Sequence, residues 1–196
     1  MSGRAERMAR RLDRDARRRG VAPDAAADLV AAFRLAMEPR LARIHNDHHP
    51  DYLHTARTAL ILIEDAGLTD RAVLCAAALC ETRDTRLAVR PGPELGEEVA
   101  RLLEEVPDPA GARLLEALVT ASPGAQLVAV AERLDHARHL HLRPEPEWRP
   151  YHATTCDVYA AVARRVSPPL ADRFHYWCAT FRERFLGGGG PEGTGS

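Results

Sequence analysis

Residues 63–85, IEDAGLTDRAVLCAAALCETRDT, decide the fold of this chain. The stretch reads as the end of one helix, a stop at Gly67, and a new helix behind Thr69 or Asp70, whose side-chain oxygens can cap it. Its second half, RAVLCAAALCET (71–82), has alanine, valine, leucine and cysteine on every face. A helix without a polar side has to be buried among others, and its small side chains predict close packing. The chain therefore needs several further helices to surround it.

Working outward, those helices are legible. Upstream, PDYLHTARTALILIEDA (50–66) is the helix that Gly67 closes. Before it, Asp24 after Pro23 reads as the N-cap of a helix with Leu29, Val30, Phe33, Met37, Leu41 and Ile44 at helical spacing, in which Pro39 predicts a kink or a break. RAERMARRLDRDARRR (4–19) has few apolar anchors, and Glu6, Asp13 and Asp15 interrupt its arginines, so it reads as a solvated helix or arm rather than a nucleic-acid-binding one. Downstream, PGPEL (91–95) and PDPAG (107–111) punctuate two amphipathic helices. Ser122 and Pro123 cap and open a third, GAQLVAVAERLDHARHL (124–140), which ends before Pro144 and Pro146. Helices over about 148–166 and 168–185 follow, the latter with Phe174, Trp177 or Cys178, Phe181 and Phe185 on one stripe. No alternating strand pattern appears. The expected fold is all-α: a compact single-domain helical fold over residues 23–186, an Arg-rich arm or helix over 1–22 and a flexible glycine-rich tail over 187–196.

Composition narrows the function by exclusion. At 196 residues, 45% hydrophobic and 28% charged, with a formal charge of −1, the chain is an ordinary globule without a long-range pull on nucleic acids or acidic membranes. No apolar run is long enough for a bilayer span. Cys75, Cys80, Cys156 and Cys178 are scattered, without a CxxC motif or a secretory leader, so a reduced, cytoplasmic protein is expected, with neither a disulfide framework nor a zinc knuckle.

Resemblance to a known family singles out side chains on three helices as the implied ligands of one metal ion: His54, the pair Cys80 and Glu81, and the distant Glu132. Imidazole, thiolate and carboxylate all bind divalent ions, and a bound ion can activate water and relieve charge at phosphorus. The bland readings are a small core cysteine and ordinary helix-surface acids, paired with Arg83, Arg133 or Arg138. Arginines filling such a pocket mean no metal; arginines at its mouth mean an anionic ligand.

The blocks AGLTDRAVLCAAALCETRDT (66–85), LGEEVARLLEEV (95–106) and SPGAQLVAVAERLDHARHL (122–140) resemble, in the same order, AGITD…LQAALLHDTVEDT, FG..VR.LVEEV and SPGAKLVKLADKLYNLRDL of HD-domain phosphohydrolases. These are RelA/SpoT-type (p)ppGpp hydrolases, and the similarity is greatest with the stand-alone small alarmone hydrolases of the metazoan SpoT-homologue type. It extends from about residue 27 to 186. The resemblance implies a compact all-helical domain and Mn²⁺-dependent removal of the 3′-pyrophosphate from (p)ppGpp, or action on a related phosphorylated nucleotide. By this correspondence His54 is the first metal ligand, Cys80 and Glu81 stand for the His-Asp pair and Glu132 for the final Asp. Asp84 keeps the second acid of a Glu-Asp pair that positions the attacking water, which makes Asp84 and Glu81 the implied catalytic groups. Arg83, His136 and Arg138 are the implied substrate-binding residues.

The departures predict impaired chemistry. The first acid of the Glu-Asp pair is reversed to Arg83, a Lys before the final ligand is Ala129, and an Asn after it is His136. The basic loop before the first ligand is shortened to HNDHHPDY (45–52), where His45, His48 and His49 offer charge only when protonated. Cys80 moves the donor set from Mn²⁺ toward Zn²⁺. The expectation is an HD protein acting in nucleotide binding or regulation, a pseudoenzyme, with either no cofactor or one divalent ion. The alternative is an active metal-dependent phosphohydrolase with a remodelled site.

Overall fold

The computed structural model describes residues 2–41, 48–80, 95–111 and 113–187. Its helices are α1 (Gly3–Arg18), α2 (Pro23–Leu41), α3 (His54–Glu64), α4 (Arg71–Leu79), α5 (Glu97–Glu105), α6 (Leu114–Thr120), α7 (Pro123–Arg138), α8 (Trp148–Thr154), α9 (Ala160–Val166) and α10 (Pro168–Phe181). A π-helical turn, Thr155–Tyr159, joins α8 to α9, so 148–166 is one continuous helical path, and a second, Arg182–Leu186, prolongs α10. Among the described residues there is no strand, and no helix is long and apolar enough to cross a membrane.

The helix without a polar face is the centre of the molecule. In α4 every residue from Ala72 to Leu79 is buried, and it packs against α2, α3, α5 and α7. Asp70 caps it, accepting the Val73 N–H at 2.9 Å. Gly67 takes φ +68°, the left-handed conformation that ends α3, and the Leu68 N–H behind it bonds the Leu62 carbonyl at 2.9 Å. Ser122 caps α7 through the Ala125 N–H at 3.4 Å, with Pro123 at the first helical position. Gly124 stands where α7 meets α4 and α5: a Cβ there would lie 2.9 Å from Leu102 Cδ2 and 3.1 Å from Val73 Cγ2.

Three details differ from the sequence reading. First, α1 is not solvated all round. Ala5, Ala9, Leu12 and Ala16 recur at three- and four-residue spacing, are buried, and face α2 and α3. Among its outward arginines, Arg11 pairs with Glu64 and Asp15, and Arg17 with Asp13. Second, α2 continues through Pro39 to Leu41 and opens at Pro23 itself. Third, the expected absence of disulfides is corrected: Cys156 and Cys178 form one, between the π-helical turn and α10, with their Cα atoms 6.1 Å apart. Packing of the two helices brings the sulfurs together, and no spacing motif announces it. Cys75 and Cys80 take no part in a disulfide.

Candidate metal centre

His54 opens α3. The short 3₁₀ turn Pro50–Leu53 leads into it and is fastened by Tyr52, which is buried and donates its hydroxyl to Ser2 Oγ at 2.9 Å. The same Ser2 oxygen caps α1 by accepting the Ala5 N–H, so the start of α1 clamps the turn that aims His54. Cys80 stands at the end of α4, 6% exposed, with Sγ 3.2 Å from the Ala77 carbonyl. Glu132 projects from the middle of α7, which packs on both α3 and α4. Ligand atoms of His54, Cys80 and Glu132 all lie within 4.8 Å of one another, and His54 Nε2 is 4.0 Å from Glu132 Oε1. Residues 26 and 52 positions apart in the chain are thus brought to one point by helix packing.

A residue that the sequence reading missed sets the electrostatics. Asp135, one helical turn beyond Glu132, is buried and lies 2.6 Å from His54 Nδ1. Arg57 grips the same carboxylate at two points, Nε to Oδ1 at 2.7 Å and Nη2 to Oδ2 at 2.8 Å. Burial alone would raise the Asp135 pKa, but these hydrogen bonds and charges hold it well below the usual carboxylate range. An ionised carboxylate only accepts, so Nδ1 carries the hydrogen and Nε2 is the nitrogen left to face an ion. That Nε2 is buried and makes no hydrogen bond among the described residues. Metal-binding histidines characteristically donate their second nitrogen to a carboxylate, and such an orphaned acceptor beside a thiol and a second carboxylate fits a divalent ion. Only helical spacing, which puts Asp135 on the face of Glu132 and Arg57 on that of His54, could have pointed to this pair.

The other site residues have definite places. His136 stacks on His54, with ring centres 4.0 Å apart and planes 11° from parallel. Burial, reinforced by the neighbouring His54, pushes its pKa down to about 2, so it lies here as a neutral ring. Arg138 turns away to Asp65, at 2.7 Å, which also meets Arg173 at 3.1 Å. Arg133 is buried on the far side of α7, donates to Thr155 Oγ1 and the Tyr151 carbonyl, both at 2.8 Å, and lies 3.3 Å above the Tyr151 ring. Ala129 is buried in α7. Glu81, Arg83 and Asp84, the remaining ligand, substrate-binding and catalytic candidates, lie outside the described residues, as does His45; His48 and His49 are exposed.

The chain is similar to guanosine-3′,5′-bis(diphosphate) 3′-pyrophosphohydrolase MESH1 of Homo sapiens, 36% identical over 134 residues that cover 63% of this chain and 74% of the relative. The corresponding protein of Mus musculus is 34% identical over 135 residues, 64% of this chain and 75% of the relative. No family model and no solved structure matches. With a sequence match of this extent and an all-helical fold that gathers His54, Cys80 and Glu132 from three separate helices, the chain belongs to the HD-domain family of MESH1-type guanosine-3′,5′-bis(diphosphate) 3′-pyrophosphohydrolases.

Proposed function

We propose that this protein holds one divalent cation at His54, Cys80 and Glu132, Zn²⁺ in preference to Mn²⁺, with Glu81 as a further donor. Through it the protein binds a phosphorylated nucleotide of the guanosine polyphosphate class, as a cytoplasmic binding or regulatory protein in which hydrolysis is impaired. The observation that carries the metal is His54 Nε2, buried without a hydrogen bond and backed by Asp135. A bound ion supplies positive charge to phosphate oxygens and lowers the pKa of water. The protein's own part is to orient the imidazole, through Asp135 and Arg57, and to keep the site dry, through the buried faces of α3, α4 and α7.

Impaired turnover is supported by the groups that would meet the rest of the substrate. His136 is neutral and stacked, and Arg138 is engaged by Asp65. Arg83 stands where the family places an acid. The second reading, an active phosphohydrolase with Asp84 as its acid-base group, is favoured by the convergence of three donor atoms within 4.8 Å.

The test is elemental analysis of untagged protein with its disulfide closed, followed by guanosine tetraphosphate binding and pyrophosphate release in Zn²⁺ and Mn²⁺. The expected result is one Zn²⁺ per chain, nucleotide binding that depends on it, and no release. Turnover with Mn²⁺ that is abolished by His54→Ala establishes the second reading. A metal-free protein whose nucleotide binding ignores His54→Ala refutes both.

A further inference from the structure

His152, Cys156 and Cys178 form a second group of donors whose ligand atoms lie within 4.8 Å of one another, and it shares no residue with the His54 centre. We propose that this group is a zinc site when its cysteines are reduced, and that the disulfide is its metal-free, oxidised form.

The geometry suits the ion. Zn–S bonds of about 2.3 Å and Zn–N bonds of about 2.0 Å at tetrahedral angles put nitrogen and sulfur about 3.5 Å apart. His152 Nδ1 is 3.8 Å and Nε2 3.5 Å from Cys156 Sγ. His152 is nine-tenths buried, and its Nε2 lies 2.9 Å from the Cys178 carbonyl, which can only accept. The hydrogen therefore sits on Nε2, and Nδ1, 3.8 Å from Cys156 Sγ, is the nitrogen left to bind an ion, with a backbone carbonyl orienting the imidazole. Breaking the S–S bond and turning the Cys178 side chain opens the sulfurs to the separation of two thiolates on one ion, about 3.8 Å.

The surroundings also fit. Cys156 lies in the π-helical turn Thr155–Tyr159, a distortion of the kind that frequently marks functional positions. The site opens on a cleft of about 380 Å³, lined by Arg164 and Arg182 as well as by Asp172 and His175, which gives an ion a way in; Asp172 and His175 lie outside the group of mutually close donors, and either has to swing inward to complete four-coordination. His175 is one turn before Cys178, as His152 is one turn before Cys156, so two facing helical segments each present a His and a Cys.

The interconversion balances with hydrogen peroxide as oxidant. The two zinc-bound thiolates give up two electrons and form the S–S bond; the peroxide O–O bond takes the electrons and, with two protons, leaves as two waters; Zn²⁺ is released. A dithiol reductant reverses the sulfur chemistry, and both thiols lose their protons to solvent as zinc returns.

Cobalt reports thiolate ligands by their charge-transfer absorption. The test uses Cys80→Ser protein, so that no thiolate comes from the His54 centre, reduced by an immobilised phosphine under argon and titrated with Co²⁺. One equivalent should bind with thiolate charge transfer, yield to Zn²⁺, and be released by peroxide with the loss of two hydrogens by mass. Adding Cys156→Ser with Cys178→Ser should abolish the band, while His152→Gln, a milder change, should weaken binding about tenfold or more. Helical circular dichroism accompanies each titration. Absence of the band from reduced folded protein, its survival in the double-serine variant, no weakening by His152→Gln, or a disulfide that reduces only on unfolding would each overturn the proposal.

Discussion

Asp135 accepts the His54 Nδ1–H at 2.6 Å while Arg57 holds the same carboxylate at two points, so one buried acid fixes both the tautomer and the direction of the imidazole. Asp135→Asn keeps the shape and removes the charge. Zn²⁺ affinity at the His54 centre should fall about 10- to 100-fold. Competition with a chromophoric chelator, on protein with its disulfide closed, measures it. An unchanged affinity would show that Asp135 has only a structural role.

The softness of Cys80 leads to a different measurement. Cys80→His should lower the affinity for Zn²⁺ relative to Mn²⁺, because it exchanges a thiolate for imidazole. Paired titrations of both ions into the two proteins give the ratio directly. Turnover is not expected to follow, since Arg83 and Ala129 are untouched.

The burial of α1 makes it part of the folded unit. Leu12 is fully buried in the core, and Leu12→Ala should destabilise the protein by about 2–5 kcal/mol in urea unfolding. Replacing the exposed Arg14 by Ala should cost less than about 1 kcal/mol. Equal, small effects would mean that α1 is dispensable, and the domain would then begin near residue 23.

Cys75 sets a pH dependence. Burial pushes its thiol up to about 12 from an ordinary value of 9.0, so it stays protonated in the folded protein while the unfolded chain ionises. The unfolded state then binds fewer protons, and its contribution to stability, complete below pH 9, is lost as pH rises toward 12. Cys75→Ala should flatten the decline by up to about 1.4 kcal/mol per pH unit. Unfolding midpoints between pH 8 and 11 test this, with Tyr159, also pushed up to about 12, present in both proteins.

Arg133 offers a contrast within one helix. Its planar group donates to Thr155 and Tyr151 while lying over the Tyr151 ring, and an ammonium cannot reproduce both. Arg133→Lys should cost about 2 kcal/mol or more, and Arg138→Lys, at a more exposed pair with Asp65, less than about 1 kcal/mol. Similar losses would place the value of Arg133 in its charge alone.

What could be read from the sequence was whatever has a local chemical signal. The caps Asp70 and Ser122 and the stop at Gly67 act within four residues, and each is where it was expected. The convergence of Cys80 and Glu132 was legible because two of the ordered blocks, 66–85 and 122–140, carry them, and that of His54 from its place ahead of the first block. Asp135 and Arg57 were not, because helical spacing names a face but not what lies across from it. The core side of α1 escaped notice for a related reason: alanine is a weak hydrophobic signal in a sequence and a strong one at a helix seam. The partnership of Cys156 with Cys178 depends on the packing of two helical segments 22 residues apart and has no motif.

Alanine at those seams also bears on the conformational entropy of the molecule. Ala5, Ala9 and Ala16 on α1 and Ala72, Ala76, Ala77 and Ala78 on α4 have no rotamers to lose on burial, unlike the longer side chains that fill most cores. The helices that flank and deliver His54 and Cys80 are therefore ordered at little side-chain cost, and with little room for adjustment. A methyl group cannot swing aside, so the positions of His54 and Cys80 are tied to backbone against backbone, and enlarging any of these alanines should reach them as a displacement of the helix itself.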